Sequence, residues 1–160
     1  MTLTGTVLAK LDHVLWPVHY LDFEAVMPAV PWFDGDAPYT TIPFQFSVHS
    51  LERAGAEPRH AEYLASPDDD WRRDLTVRLI EALNGDGSIL VYSPYERTQI
   101  NGLAASFPDL APSLARILSR LFDLEPFFRT GLVHHRFAGS SSIKKVLPVL
   151  VPDLSYDQLS

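Results

Sequence analysis

Hydrophobic and polar positions alternate in the first third of the chain and fall at helical spacing later. From Val18 to Phe23 the alternation predicts a strand, with Leu21 and Phe23 on one face and Asp22 and Glu24 on the other. A stretch rich in proline, glycine and aspartate follows (Met27 to Pro31, Asp34 to Pro38), and these residues favour turns. Ile42 to Leu51 alternates again: Phe44, Phe46 and Val48 point one way, Gln45, Ser47 and His49 the other. Arg59 to Leu64 reads as a third strand, joined through a turn at Ala54-Gly55-Ala56.

The period then changes. Asp68-Asp69-Asp70 opens a helix, since acids suit the positive N-terminal end, and Trp71, Leu75, Leu79, Ile80 and Leu83 form its apolar stripe. Asn84-Gly85-Asp86-Gly87 stops it. Ile89 to Tyr92 is short, apolar and bounded by turns, as a buried central strand is. Ser93-Pro94-Tyr95-Glu96 starts a second helix carrying Leu103, Ala104 and Phe107 on one side. A third runs from Ala111 to Leu121 with Leu114, Ile117, Leu118 and Leu121 inward. Gly131 to Phe137 reads as a short strand or an irregular loop. Ser140-Ser141-Ser142 caps a last helix to about Leu147, with Pro148 and Pro152 limiting it.

At 160 residues and 46% hydrophobic composition, one domain with its own core is expected, preceded by a lead-in over residues 1–16. The absence of cysteine excludes disulfides, zinc–thiolate centres and iron–sulfur clusters within the chain. No apolar run reaches membrane-spanning length, and Met1 to Lys10 lacks the pattern of a secretory signal, so a cytoplasmic protein with no membrane partner is expected. The net charge of −7 argues against gripping nucleic acid by overall charge. The charge is uneven, however. Between Arg97 and Lys145 seven basic residues outnumber three acids, a net of +4, which leaves −11 for the remainder. That division fits an acidic metal edge beside a basic backbone-binding one, and on charge alone it fits chance and ordinary solvated helix faces somewhat better.

Asp22 and Glu24 are the candidate metal ligands: adjacent carboxylates on one strand face suit a hard divalent cation such as magnesium, and a wet strand end is the alternative. Glu96 has two readings. It is a further ligand, or it closes a capping box in which Ser93 is the cap and Pro94 the first helical residue. Asp123 is a weaker ligand candidate and reads otherwise as a helix-terminal acid. Gln45 and His49, on the polar face of the second strand, are candidate substrate contacts, as are Lys144 and Lys145 behind the serine cluster. Trp32, Phe33 and Tyr39 offer rings for base stacking or for folding back on the core. His134 and His135 point opposite ways if extended, which disfavours a shared metal.

The strand plan, three antiparallel strands and a fourth parallel to the first after a helical crossover, is that of a ribonuclease H-like α/β fold with a mixed sheet flanked by helices. Asp22-Phe23-Glu24 resembles the first motif of DEDD-type 3′–5′ exonucleases, and Ser93-Pro94-Tyr95-Glu96 stands where their second motif follows the fourth strand. It departs from that motif in having Glu96 for aspartate and Ser93 for asparagine. From about residue 17 the chain more closely resembles an uncharacterised bacterial domain-of-unknown-function family related to those nucleases. The resemblance is carried by Leu21 to Glu24, Ile42 to His49, Val91-Tyr92 before Glu96, Asp123-Leu124 and Ser142 to Pro148. It implies a nuclease domain over residues 17–160 that hydrolyses phosphodiesters of DNA or RNA. A single-stranded 3′ end is the expected substrate, with two Mg2+ or Mn2+ ions held by Asp22, Glu24 and Glu96. The third motif has no match near Tyr156, so the expectation is a fragment of a larger polypeptide, lacking its last helix and weakly active or inactive. A non-catalytic nucleic-acid-binding or scaffold module is the alternative. No sequence pattern fixes an oligomeric state.

Overall fold

The computed structural model describes residues 2–3, 11–67 and 70–151. The chain divides into two units, residues 15–122 and residues 1–14 with 123–160.

The larger unit is built on a five-stranded mixed sheet in the order β4-β3-β2-β5-β6. Its strands are β2 (Val18–Val26), β3 (Ile42–Leu51), β4 (Arg59–Leu64), β5 (Ser88–Val91) and β6 (Leu121–Asp123). β2 pairs antiparallel with β3, β3 antiparallel with β4, and β2 parallel with β5. The α/β class, the mixed sheet and these three pairings agree with the alternation in the sequence. Leu21 and Phe23 lie opposite Val48 and Phe46, and all four are buried. Tyr20, Asp22 and Glu24 occupy the other face of β2 and are exposed.

Three helices complete this unit: α1 (Arg72–Ala82), α2 (Tyr95–Ser106) and α3 (Ala111–Arg120). Leu75, Leu79 and Leu83, then Ile100 and Leu103, then Leu114 and Ile117 join the sheet residues in one apolar cluster. Burying a leucine, isoleucine or phenylalanine in this way stabilises by about 1.5–3 kcal/mol. Asp70 accepts a hydrogen bond from the Arg72 amide at 3.1 Å, so that acid does serve the start of α1, while Asp68 and Asp69 lie outside the described residues.

The proline-rich loop is pinned to α1. Arg72 pairs with Asp36 at 3.1 Å and with Asp70 at 2.8 Å, and its guanidinium lies 3.9 Å over the Phe33 ring. Phe33 and Trp32 meet Trp71 edge-on at 5.4 and 6.2 Å. Of the loop aromatics, Phe33 therefore folds back, whereas Tyr39 is exposed and holds a left-handed φ of 63°.

The turn from α1 into β5 is held from two sides. Arg120 donates to the carbonyls of Leu83, Asp86 and Gly87 at 2.7, 2.6 and 2.7 Å. The buried His19 has Nε2 3.2 Å from the Asp86 carbonyl and Nδ1 2.8 Å from Ser50 Oγ. A carbonyl only accepts, so Nε2 carries the proton and Nδ1 accepts from Ser50. Gly87 has φ 88°, and a Cβ there would meet the Pro17 carbonyl oxygen at 1.8 Å.

In the smaller unit β1 (Thr2–Leu3) pairs antiparallel with β7 (Leu132–Val133). The stretch read as strand or loop is thus a two-residue strand with a 3-10 turn at His135–Phe137, preceded by a π-helical turn at Phe127–Gly131. Leu132, Phe137 and Val146 form a small core with Phe128 and Val149. The last helix, α4 (Ile143–Leu150), contains Pro148 where the sequence placed the proline as its limit. The burial of Val146 and the packing of Val149 hold the turn that the missing proline N–H weakens. No helix among the described residues is long and apolar enough to cross a membrane.

Two consequences are measurable. Burial, with a smaller contribution from Arg120, holds the His19 imidazole below its usual 6.5. Below that pH the unfolded chain takes up a proton that folded His19 resists, so stability present at neutral pH is lost as pH falls through the depressed value. Urea midpoints should fall between pH 7.5 and pH 5.5 (roughly one unit either side of a free imidazole), and by less in His19→Gln. Gly87→Ala should cost about 2 kcal/mol or more in urea unfolding, from the left-handed backbone and the close Pro17 carbonyl.

Candidate functional site

β2 and β5 run parallel, so their carboxyl ends lie at the same end of the sheet. Pairing stops at Tyr20 and Leu90. Beyond that point β5 ends at Val91 and the chain enters α2, which begins at Tyr95. The remainder of β2, from Leu21 to Val26, carries the two acids past the end of the parallel pairing.

Asp22 and Glu24 are both exposed and share the face predicted from their spacing. The antiparallel register sets Ser47 opposite Asp22 and Gln45 opposite Glu24. Among the described residues neither carboxylate enters an ion pair. Two charges about 7 Å apart, the span of two strand residues, repel by about 0.6 kcal/mol in water. Exposure therefore makes the pair tolerable without a counter-ion, and the repulsion by itself does not require a metal.

Glu96 is buried, at 5% exposure, on the second residue of α2. The capping box takes a different form from the one in the sequence reading. Pro94, not Ser93, is the cap, and the Ser93 hydroxyl accepts from the Tyr95 amide at 3.1 Å. A serine with its hydroxyl turned to the residue two ahead makes a local turn.

Tyr95 links the two elements. Burial pushes its phenol up, and the negative charges of Glu24, Glu96 and Asp22 push it further in the same direction. The three acids thus act on one hydroxyl from two separate elements. Tyr95 was not a sequence candidate; only its place beside Glu96 at a helix start hinted at it. Among the described residues no three acidic or imidazole side chains form a ready-made metal cage.

The other candidates divide. Gln45 is half-buried, and His49 is exposed opposite Tyr20, its ring stacked on His60 at 4.3 Å and 13°. His60 in turn has Nε2 3.1 Å from Ser47 Oγ. An aromatic row (Tyr20, His49, His60) thus crosses three strands beside an acidic row (Asp22, Ser47, Glu62). Asp123 ends β6 and accepts from the Glu125 amide at 2.9 Å, a local turn. Lys144 and Lys145 are exposed in the first turn of α4. Asp123 stands at the boundary between the units, and Lys144 and Lys145 belong to the smaller unit. His134 and His135 are not extended away from each other: the 3-10 turn brings their rings to 4.5 Å. Tyr156 lies outside the described residues.

The model of a domain of unknown function, DUF2779, matches residues 19–142. The chain belongs to that family. The match takes in β2 through β7 almost whole, with Asp22, Glu24, Tyr95 and Glu96 inside it. No curated protein and no solved structure matches this DUF2779 chain.

The electrostatic link is testable in solution. In Asp22→Asn and in Glu24→Gln the Tyr95 phenol should titrate at lower pH than in the unaltered DUF2779 chain. Ultraviolet difference titration checks this, with Tyr95→Phe identifying which transition belongs to that residue.

Proposed function

We propose that the edge formed by the end of β2 and the start of α2 is the divalent-cation site of a ribonuclease H-like nuclease, of 3′–5′ exonuclease type, acting on DNA or RNA. The placement of Asp22 and Glu24 past the end of the parallel pairing, and of Tyr95 and Glu96 at the start of the helix that follows β5, supports this reading, with the negative charge of all three acids raising the Tyr95 phenol. The strand order supports it: numbered from β2, the sheet reads third, second, first, fourth, fifth, with the first and fourth parallel. In open α/β sheets ligands favour the crevice beyond the carboxyl ends of parallel strands.

The donor set suits magnesium or manganese in its chemistry, since all three acids offer oxygen ligands only. Asp22 and Glu24 are the outer, water-accessible pair, and magnesium keeps several waters when few carboxylates hold it. A bound cation would supply a nucleophilic hydroxide and stabilise the leaving oxygen. The chain's own part is to hold and orient. Asp22 and Glu24 bind from the strand, Glu96 contributes negative charge from behind, and the Tyr95 hydroxyl, kept protonated, donates toward a phosphate oxygen. Gln45 and His49 lie on the same sheet face and are the adjacent substrate contacts.

A non-catalytic nucleic-acid-binding or scaffold module is the second reading. The exposure of Asp22 and Glu24 as a solvated pair favours it.

Thermal melting with manganese separates the two. The nuclease reading expects a higher melting temperature with manganese, because a ligand bound only by the folded state stabilises it. Asp22→Asn and Glu24→Gln should remove the increase, and Glu96→Gln should reduce it while leaving the metal-free melt nearly unchanged. Release of nucleotides from a single-stranded 3′ end should depend on manganese and be lost in the same variants. An unchanged melt together with no cleavage would establish the module reading instead.

A further inference from the structure

The smaller unit contains a cavity of about 240 Å3 whose lining includes Phe128, Arg129, His134, Phe137, Ser140 and Ser141. We infer that this cavity binds a phosphate monoester attached to a flat aromatic body, in chemical class a nucleoside monophosphate.

The lining supplies both halves of such a ligand. A guanidinium fork matches a phosphate better than any other side chain does, and Arg129 provides one. Ser140 and Ser141 add hydroxyl donors. His134 adds a defined one. Its Nδ1 accepts from the Arg136 amide at 3.3 Å, which leaves the proton of the neutral ring on Nε2. Phe128, half-buried, offers a ring face of the kind on which bases stack, and the buried Phe137 contributes apolar wall. Between the first and last residues that line the cavity, 128 to 141, the chain carries two arginines (Arg129, Arg136) and no acid. Ligand cavities commonly run to roughly 300–1,000 Å3. A volume of about 240 Å3 lies below that range, so the cavity takes one nucleotide at most and not a polymer.

Glu125, which contacts two residues of the lining, competes with such a ligand for their donors. It accepts from Ser141 Oγ at 2.8 Å, and its other oxygen lies 3.9 Å from Arg129. A carboxylate thus engages two of the donors that a phosphate would take. Ligand entry exchanges the Glu125 contacts for phosphate contacts, so removing the Glu125 charge should strengthen binding.

The test is calorimetric titration of the full chain with adenosine monophosphate, adenosine, inorganic phosphate and benzoate. The monophosphate should bind about tenfold or more tightly than each of the others, the difference that one charged hydrogen-bonding group makes. Arg129→Gln and Ser140→Ala should each weaken it, Arg129→Gln by about tenfold. Glu125→Gln should tighten it, and Asp22→Asn should leave it unchanged, which keeps this site separate from the acidic edge. Circular dichroism verifies that each variant is folded. Equal binding of phosphate or benzoate, or an affinity indifferent to both Arg129→Gln and Ser140→Ala, would overturn the assignment.

Discussion

One backbone carbonyl, that of Asp86, accepts from two side chains that come from opposite ends of the larger unit's sequence. His19 reaches it from β2 and Arg120 from the end of α3. A carbonyl oxygen has two lone pairs, and both are used. The contact fixes the turn before β5, and the Gly87 backbone next to it is the geometry that only glycine adopts without strain. The parallel pairing of β2 with β5 begins at the next residue, with Ser88 opposite Val18. Loss of either donor would leave that carbonyl with one of its two partners, at a cost of about 0.5–1.5 kcal/mol for a typical hydrogen bond. That is a measurable share of the roughly 5–15 kcal/mol that stabilises a typical domain.

The acidic edge follows from that pairing. Because β2 and β5 are parallel, the residues after both strands emerge at one end of the sheet, and Tyr95 comes within electrostatic reach of Asp22 and Glu24. An antiparallel β5 would have delivered α2 to the far end. The three acids differ in setting. Two are in water and one is buried, so their negative charge is felt unequally: solvent screens the outer pair and little screens Glu96. Tyr95 lies between these settings, which is why its phenol registers all three.

The two units carry opposite chemistry. The larger presents exposed acids and a row of aromatic side chains on an open sheet face, and the smaller presents a cavity with a guanidinium, hydroxyls and an imidazole. The uneven charge of the sequence thus corresponds in part to a real division of the fold. It is not the whole of it, since Arg120, counted among the basic residues, is spent on the α1–β5 turn and Arg72, in the acidic part, on the proline-rich loop.

Local pattern determined a good deal. Period-two alternation placed β2, β3 and β4 and the shared face of Asp22 and Glu24, because a strand's side chains alternate whatever surrounds it. Helical spacing placed α1, α2 and α3 and much of their buried stripes, though not Ile100, and membership of a domain-of-unknown-function family was visible in motifs spread along the chain. Tertiary structure alone decided what depends on distant partners. The cap of α2 moved from Ser93 to Pro94, α4 ran through Pro148, and the two histidines at 134 and 135 came together, each because nonlocal packing or a local turn outweighed a modest preference. Tyr95 joined the acidic edge, and Glu125 met Ser141, only once the chain had folded. Sequence spacing carries no information on which charges meet across separate elements, since that is set by strand order and by the direction in which β5 pairs.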